Sequence, residues 1–93
     1  MEYKVVERDG VAYVTKVITV HQFTMGDVDD VEIYAAQPIY EWQQSPAGQW
    51  VMENAVEKPE WITQLDNHIM GHRIIIRARL TEKDITWFKL KYS

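Results

Sequence analysis

Arg73, Arg77, Arg79, Trp87, Lys89 and Lys91 form the most suggestive chemical pattern in this sequence. Guanidinium and ammonium groups bind phosphate oxygens, and an indole among them can stack on a base. Five like charges on one surface would give a strongly salt-dependent affinity for nucleic acid. The plainer reading is a solvated face whose cations keep an open sheet from aggregating. A net charge of −4 and the lack of an aromatic RNA-recognition signature favour the plainer reading.

Other candidate chemistries are weaker. His68 and His72 are four apart, a spacing that puts two imidazoles on one helix face. Gly71 and the β-rich run after it argue against a helix there, and nothing brings His21 or Asp66 to them. Asp27, Asp29, Asp30 and Glu32 cluster carboxylates without the alternation and glycine of a calcium loop. A solvated loop in which Asp29 or Asp30 caps a helix explains them better. There is no phosphate loop, dinucleotide fingerprint, nucleophile elbow or HExxH zinc motif. The serines are Ser45 and Ser93, and Glu41 and Glu53 show no sign of converging. The chain has no cysteine, so disulfides, thiol catalysis and thiolate zinc sites are excluded. No cofactor or metal is expected, and the protein reads as non-enzymatic.

These residues must be positioned by one small domain spanning residues 1–93. A domain of this size buries a modest fraction of its surface, and association is one common remedy. Four Trp and five Tyr supply large contact area. No apolar run is long enough for a membrane helix, and MEYKVVERDG has acids where a secretion signal has a basic head. A soluble, cytoplasmic protein with no membrane partner is expected. Charge is uneven along the chain. Residues 1–71 carry four Lys/Arg against twelve Asp/Glu, a net −8, and residues 72–93 carry six against two, a net +4. Either the two segments neighbour each other in the fold, or acidic and basic surfaces of different copies meet.

Asp9-Gly10 separates two β-rich runs, residues 2–8 and 11–23, and signals a hairpin with a type I′ turn. The inward set of the second run is Ala12, Val14, Ile18 and Val20, with Lys16 as misfit. Tyr13, Thr15, Val17, Thr19 and His21 take the other face. A helical segment follows, with Pro38 in its first turn. Ser45-Pro46 then either kinks one helix over residues 38–55 or restarts it, with Ser45 as cap. Gly48 allows a close approach. Residues 56–69 read as irregular, Lys58-Pro59 favouring extended backbone. From Arg73 the chain alternates, with Ile74, Ile76, Ala78 and Leu80 on one face and Arg73, Ile75, Arg77 and Arg79 on the other. Pairing Leu80 with Thr86 through a five-residue loop keeps lysines out of the core. That hairpin would join Phe88, Leu90 and Tyr92 to the apolar face, and Trp87, Lys89 and Lys91 to the arginines. The rival reading is a C-terminal helix after Thr81, with Ile85, Phe88 and Tyr92 at helical spacing.

The stretches MGDVDDVEIYAAQPIYEWQQSPAGQWVMENAVEKP and RARLTEKDITWFKLKY resemble a family of small proteins encoded by tailed phages of marine cyanobacteria. The likeness spans most of residues 18–92 and is most specific at Pro38–Trp42, Gly48–Glu53 and Trp87–Tyr92. It implies a phage product acting in an infected bacterial cytoplasm or in virion assembly, and it carries over no functional residue.

The expected fold is α+β: an antiparallel sheet built from an N-terminal and a C-terminal hairpin, with the central helical segment packed on one face. The expected function is non-enzymatic protein–protein interaction. The partners are the protein itself, as a homo-oligomer, and an unknown host or virion protein. The alternative is single-stranded nucleic-acid binding through Arg73, Arg77, Arg79, Trp87, Lys89 and Lys91.

Overall fold

The computed structural model describes residues 3–26, 30–66, 68 and 71–92. Asp27 and Asp29 of the acidic loop lie outside the described residues. The N-terminal hairpin forms where Asp9-Gly10 predicts it. Both residues hold positive φ, 51° and 78°, as a type I′ turn requires. Strand β1, Tyr3–Arg8, pairs antiparallel with β2, Val11–Met25.

β2 is much longer than β1, and each half has a different neighbour. Residues 11–16 pair with β1, and Thr15 onward pairs on the other edge with β4, Gly71–Thr81. The region 56–69, expected to be irregular, instead contains strand β3, Glu60–Asp66, antiparallel to β4. The sheet order is β1-β2-β4-β3. The alternation of Trp61, Ile62 and Thr63 is too short and too mixed to be read as a strand alone. Its partner β4 supplies the reason it extends.

Two helices follow β2. α1, Val31–Gln44, is capped by the Asp30 carboxylate, which accepts from the Ile33 N–H at 3.4 Å. It therefore starts a full two turns before Pro38, which lies inside the helix rather than in its first turn. Burial of Ala35, Ile39 and Trp42 along one face compensates for the proline's missing donor. Ser45 ends α1 and starts α2, Pro46–Asn54. Its hydroxyl donates to the Trp42 carbonyl and accepts from the Gly48 N–H at 3.1 Å.

The C-terminal hairpin over residues 73–92 does not form. Residues Glu82–Tyr92 are helix α3, and the C-terminal half of the sheet is the β3–β4 hairpin instead. Three causes combine. The Thr81 hydroxyl accepts from the Asp84 N–H at 3.3 Å, so the Thr-x-x-Asp box opens a whole helix rather than one turn. Glu82 and Asp84 lie in the first turn and Lys89 and Lys91 in the last, which suits the helix dipole. β2 takes one edge of β4 and β3 takes the other from Gly71 to Arg77, so a strand returning antiparallel from Thr86 to Tyr92 would run into β3.

All three helices bury residues against one sheet face. Ala35, Ile39, Trp42, Val51, Ile85 and Phe88 meet Val20, Ile74, Ile76, Ala78 and Leu80. The inward set read for β4 is thus correct. In β2 it holds for Ile18 and Val20, but Ala12 and Val14 stand exposed, because β2 there runs beyond the helices. A register shift between Thr19 and His21 then places His21, Phe23 and Met25 opposite Ile76, Ile74 and His72, moving His21 to the helix side.

A Cβ on Gly48 would collide with the carbonyl oxygen of Trp42. Gly48→Ala should therefore cost about 1–3 kcal/mol by overpacking the α1–α2 junction. Urea unfolding measures it, and an unchanged midpoint would contradict this packing.

Candidate interaction surfaces

The structure divides the six predicted site residues between two sides of the molecule. Arg73, Arg77 and Arg79 point from β4 to the sheet face away from the helices. Trp87, Lys89 and Lys91 sit on α3, across the sheet from them. A single basic face with Trp87 among the arginines therefore does not exist.

On the open side Arg79 and Arg77 have acidic neighbours. Arg79 keeps only 13% side-chain exposure. Its Nε lies 3.7 Å from the Glu57 carboxylate, too far for a hydrogen bond, and Nη1 donates to the Thr15 hydroxyl at 3.3 Å. Thr15 is buried and donates in turn to the Lys4 carbonyl at 2.7 Å, while Lys4 Nζ reaches Glu57 at 2.6 Å. Arg79 also accepts the Val56 N–H at its carbonyl, 2.9 Å away. This cluster ties β1, β2, β4 and the α2–β3 connection together. Arg77 pairs in register with Glu60. The hydrogen bond from Lys4, reinforced by its charge and that of Arg79, holds the Glu57 carboxyl below its ordinary range.

Trp87 stacks on Trp50 of α2 with ring centroids 4.6 Å apart. Between α2 and α3 lies a groove of about 520 Å³ lined by Trp50, Lys83, Asp84, Thr86, Trp87 and Leu90. Trp87 is 41% exposed and Leu90 83%. Read as a strand, this segment hid the groove. The helical spacing of Lys83, Trp87 and Leu90 is the signal that could have found it.

A second groove of about 550 Å³ includes His21, Phe23, Glu41, Trp42, Ser45 and Phe88. His21 stacks on Trp42 at 5.6 Å. The Ser45 hydroxyl donates to the Trp42 carbonyl, so His21 does not activate it as a nucleophile. His68 lies in a turn and His72 on β4, which removes the helix needed for paired imidazole ligands. Among the described residues, no group of three or more His, Cys, Asp or Glu is placed to hold a metal. Among them too, no helix is long and apolar enough to cross a membrane.

The third surface is the arm formed by β1 and the first half of β2. It carries exposed Tyr3 and Val5, at 59% and 64%, together with Val11, Tyr13 and Val14. Among the described residues, neither the outer edge of β1 nor the β4-side edge of Val11–Val14 is paired with a strand.

Searches against protein-family models, curated proteins and solved structures found no match to this chain.

Burial pushes the His21 pKa below its ordinary 6.5. The unfolded chain then takes up the proton more readily than the fold does, so stability falls as pH drops below that value. Glu57, also lowered, adds a loss at more acidic pH, below its ordinary 4.5. The urea midpoint should fall between about pH 7 and about pH 5, and His21→Gln should flatten that segment. An equally steep profile in the variant would remove His21 as the cause.

Proposed function

We propose that this protein is a non-enzymatic interaction module that associates with itself and binds a protein partner. One observation carries the reading: large apolar side chains stand exposed in clusters rather than singly. Tyr3, Val5, Val11, Tyr13 and Val14 share the arm. Ile33, Tyr34, Tyr40, Trp87 and Leu90 stand out from the helical layer. Soluble monomers rarely leave such clusters uncovered, and clustering is what marks an interaction site. The arm suits strand addition, in which a partner's backbone satisfies the free edge and its side chains meet alternate residues. An isolated two-stranded ribbon is marginal in water, so a partner would also stabilise it. A host or virion protein is the partner implied by the resemblance to cyanophage proteins.

The runner-up is nucleic-acid binding through Arg73, Arg77 and Arg79. Three cations in one strand, facing away from the helices, favour it. Glu57 and Glu60 beside them, and the distance of Trp87 from that face, weigh against it.

Sedimentation velocity should show a mass above the monomer's 11.0 kDa at micromolar concentration. A monomer at every concentration would overturn self-association. Fluorescence anisotropy with single-stranded DNA and RNA at low salt should show no binding. Steeply salt-sensitive binding would promote the runner-up instead.

A further inference from the structure

The self-association just proposed leaves open which surfaces meet, and the helical layer carries two that match. On α1, Ile33, Gln37, Tyr40 and Gln44 recur at helical spacing and lie opposite the buried face of Ala35, Ile39 and Trp42. Ile33 and Tyr40 are 68% and 57% exposed. Glu41 flanks the stripe, Glu32 lies toward β3 beside Trp61 and Thr63, Asp30 precedes the helix, and α1 has no basic residue. This is the anchor pattern of a helix that lies in an apolar groove.

The groove between α2 and α3 has the complementary character. Its floor is Trp50 and Trp87, Leu90 stands at its edge, and Lys83 lines it. Lys91 lies exposed in the last turn of α3. Among the described residues lining it, Asp84 is the carboxylate, and it sits in the first turn, where it favours the helix N-terminus.

We infer that the α1 stripe of one copy occupies the α2–α3 groove of a second copy, anchored by Ile33 and Tyr40 against Trp87 and Leu90. Glu41 then faces the lysine-bearing rim. Both surfaces project from the same side of the sheet, because α1 and α3 bury their opposite faces in one core. A two-fold axis can therefore make both contacts at once, giving a closed dimer. Doubling matters, because one helix in one groove is small beside the roughly 1,200–2,000 Å² of a stable interface. The inference rests on the reading of the protein as self-associating, and its test separates the two.

Tyr40→Arg places a cation against the basic rim, and Leu90→Glu places an anion against acidic α1. Both positions are exposed, so neither change should disturb the fold, which circular dichroism checks. Wild-type protein should sediment as a dimer. Each variant alone should dimerise at least about tenfold more weakly. An equimolar mixture should recover the dimer, because the new Arg and Glu then face each other while the other contact is wild type. If either variant unfolds, Ile33→Arg tests the same stripe. Variants that dimerise as wild type does would overturn this interface while leaving self-association through the arm standing, and a mixture that stays monomeric would overturn the pairing of these two surfaces. A monomeric wild-type protein would overturn both.

Discussion

The fold depends on β4 being flanked by β2 on one edge and by β3 along Gly71–Arg77 of the other, while one of its faces is apolar from Ile74 to Leu80. Ile74, Ile76, Ala78 and Leu80 are buried on that face, and every helix packs against it. With β2 along one edge and β3 along Gly71–Arg77 of the other, the chain leaving Leu80 cannot return as a strand along β4. Thr81 turns it directly into α3, which crosses β2 and β4 and buries Ile85 and Phe88. That turn decides where the basic residues go. The arginines of β4 stay on the open side, and the lysines of α3 go to the other.

The open side shows what the uneven charge along the chain does inside one molecule. Arg79 of the basic segment meets Glu57 of the acidic one, with Lys4 completing the group, and Arg77 lies beside Glu60. These contacts hold the α2–β3 connection against the sheet. Exposed ion pairs contribute little each, so the buried Thr15 hydroxyl, bonded to both Lys4 and Arg79, gives the cluster its definition. The charge contrast that stays outward is on the helical layer, between acidic α1 and the lysines of α3.

Features set by local chemistry were legible in the sequence. The Asp9-Gly10 turn, the Ser45 cap with Pro46 behind it, the close approach at Gly48 and the inward set of β4 all follow from residues within a few positions. The α+β class follows from them. Features set by distant partners were not. β3 needs β4 beside it to be a strand. The shift between Thr19 and His21 arises in pairing with β4, and reverses the face expected of His21. In residues 82–92 the β-branched and aromatic content pointed to a strand, yet the Thr81 cap and the occupied edges of β4 make a helix. The candidate site failed at that same step, since joining Trp87 to the arginines required a hairpin. Only the placement of Arg73, Arg77 and Arg79 on the sheet face away from the helices was read correctly, and Arg79 is largely covered there.

Self-association through the helical layer requires one spatial relation, α1 of one copy lying against α3 of another. The chain has no cysteine, so introduced thiols report on it cleanly. Tyr40→Cys and Leu90→Cys proteins, mixed and oxidised, should form a disulfide-linked heterodimer, while neither alone should cross-link efficiently. Efficient cross-linking of Leu90→Cys with itself, or none in the mixture, would place these two helices apart and contradict the account.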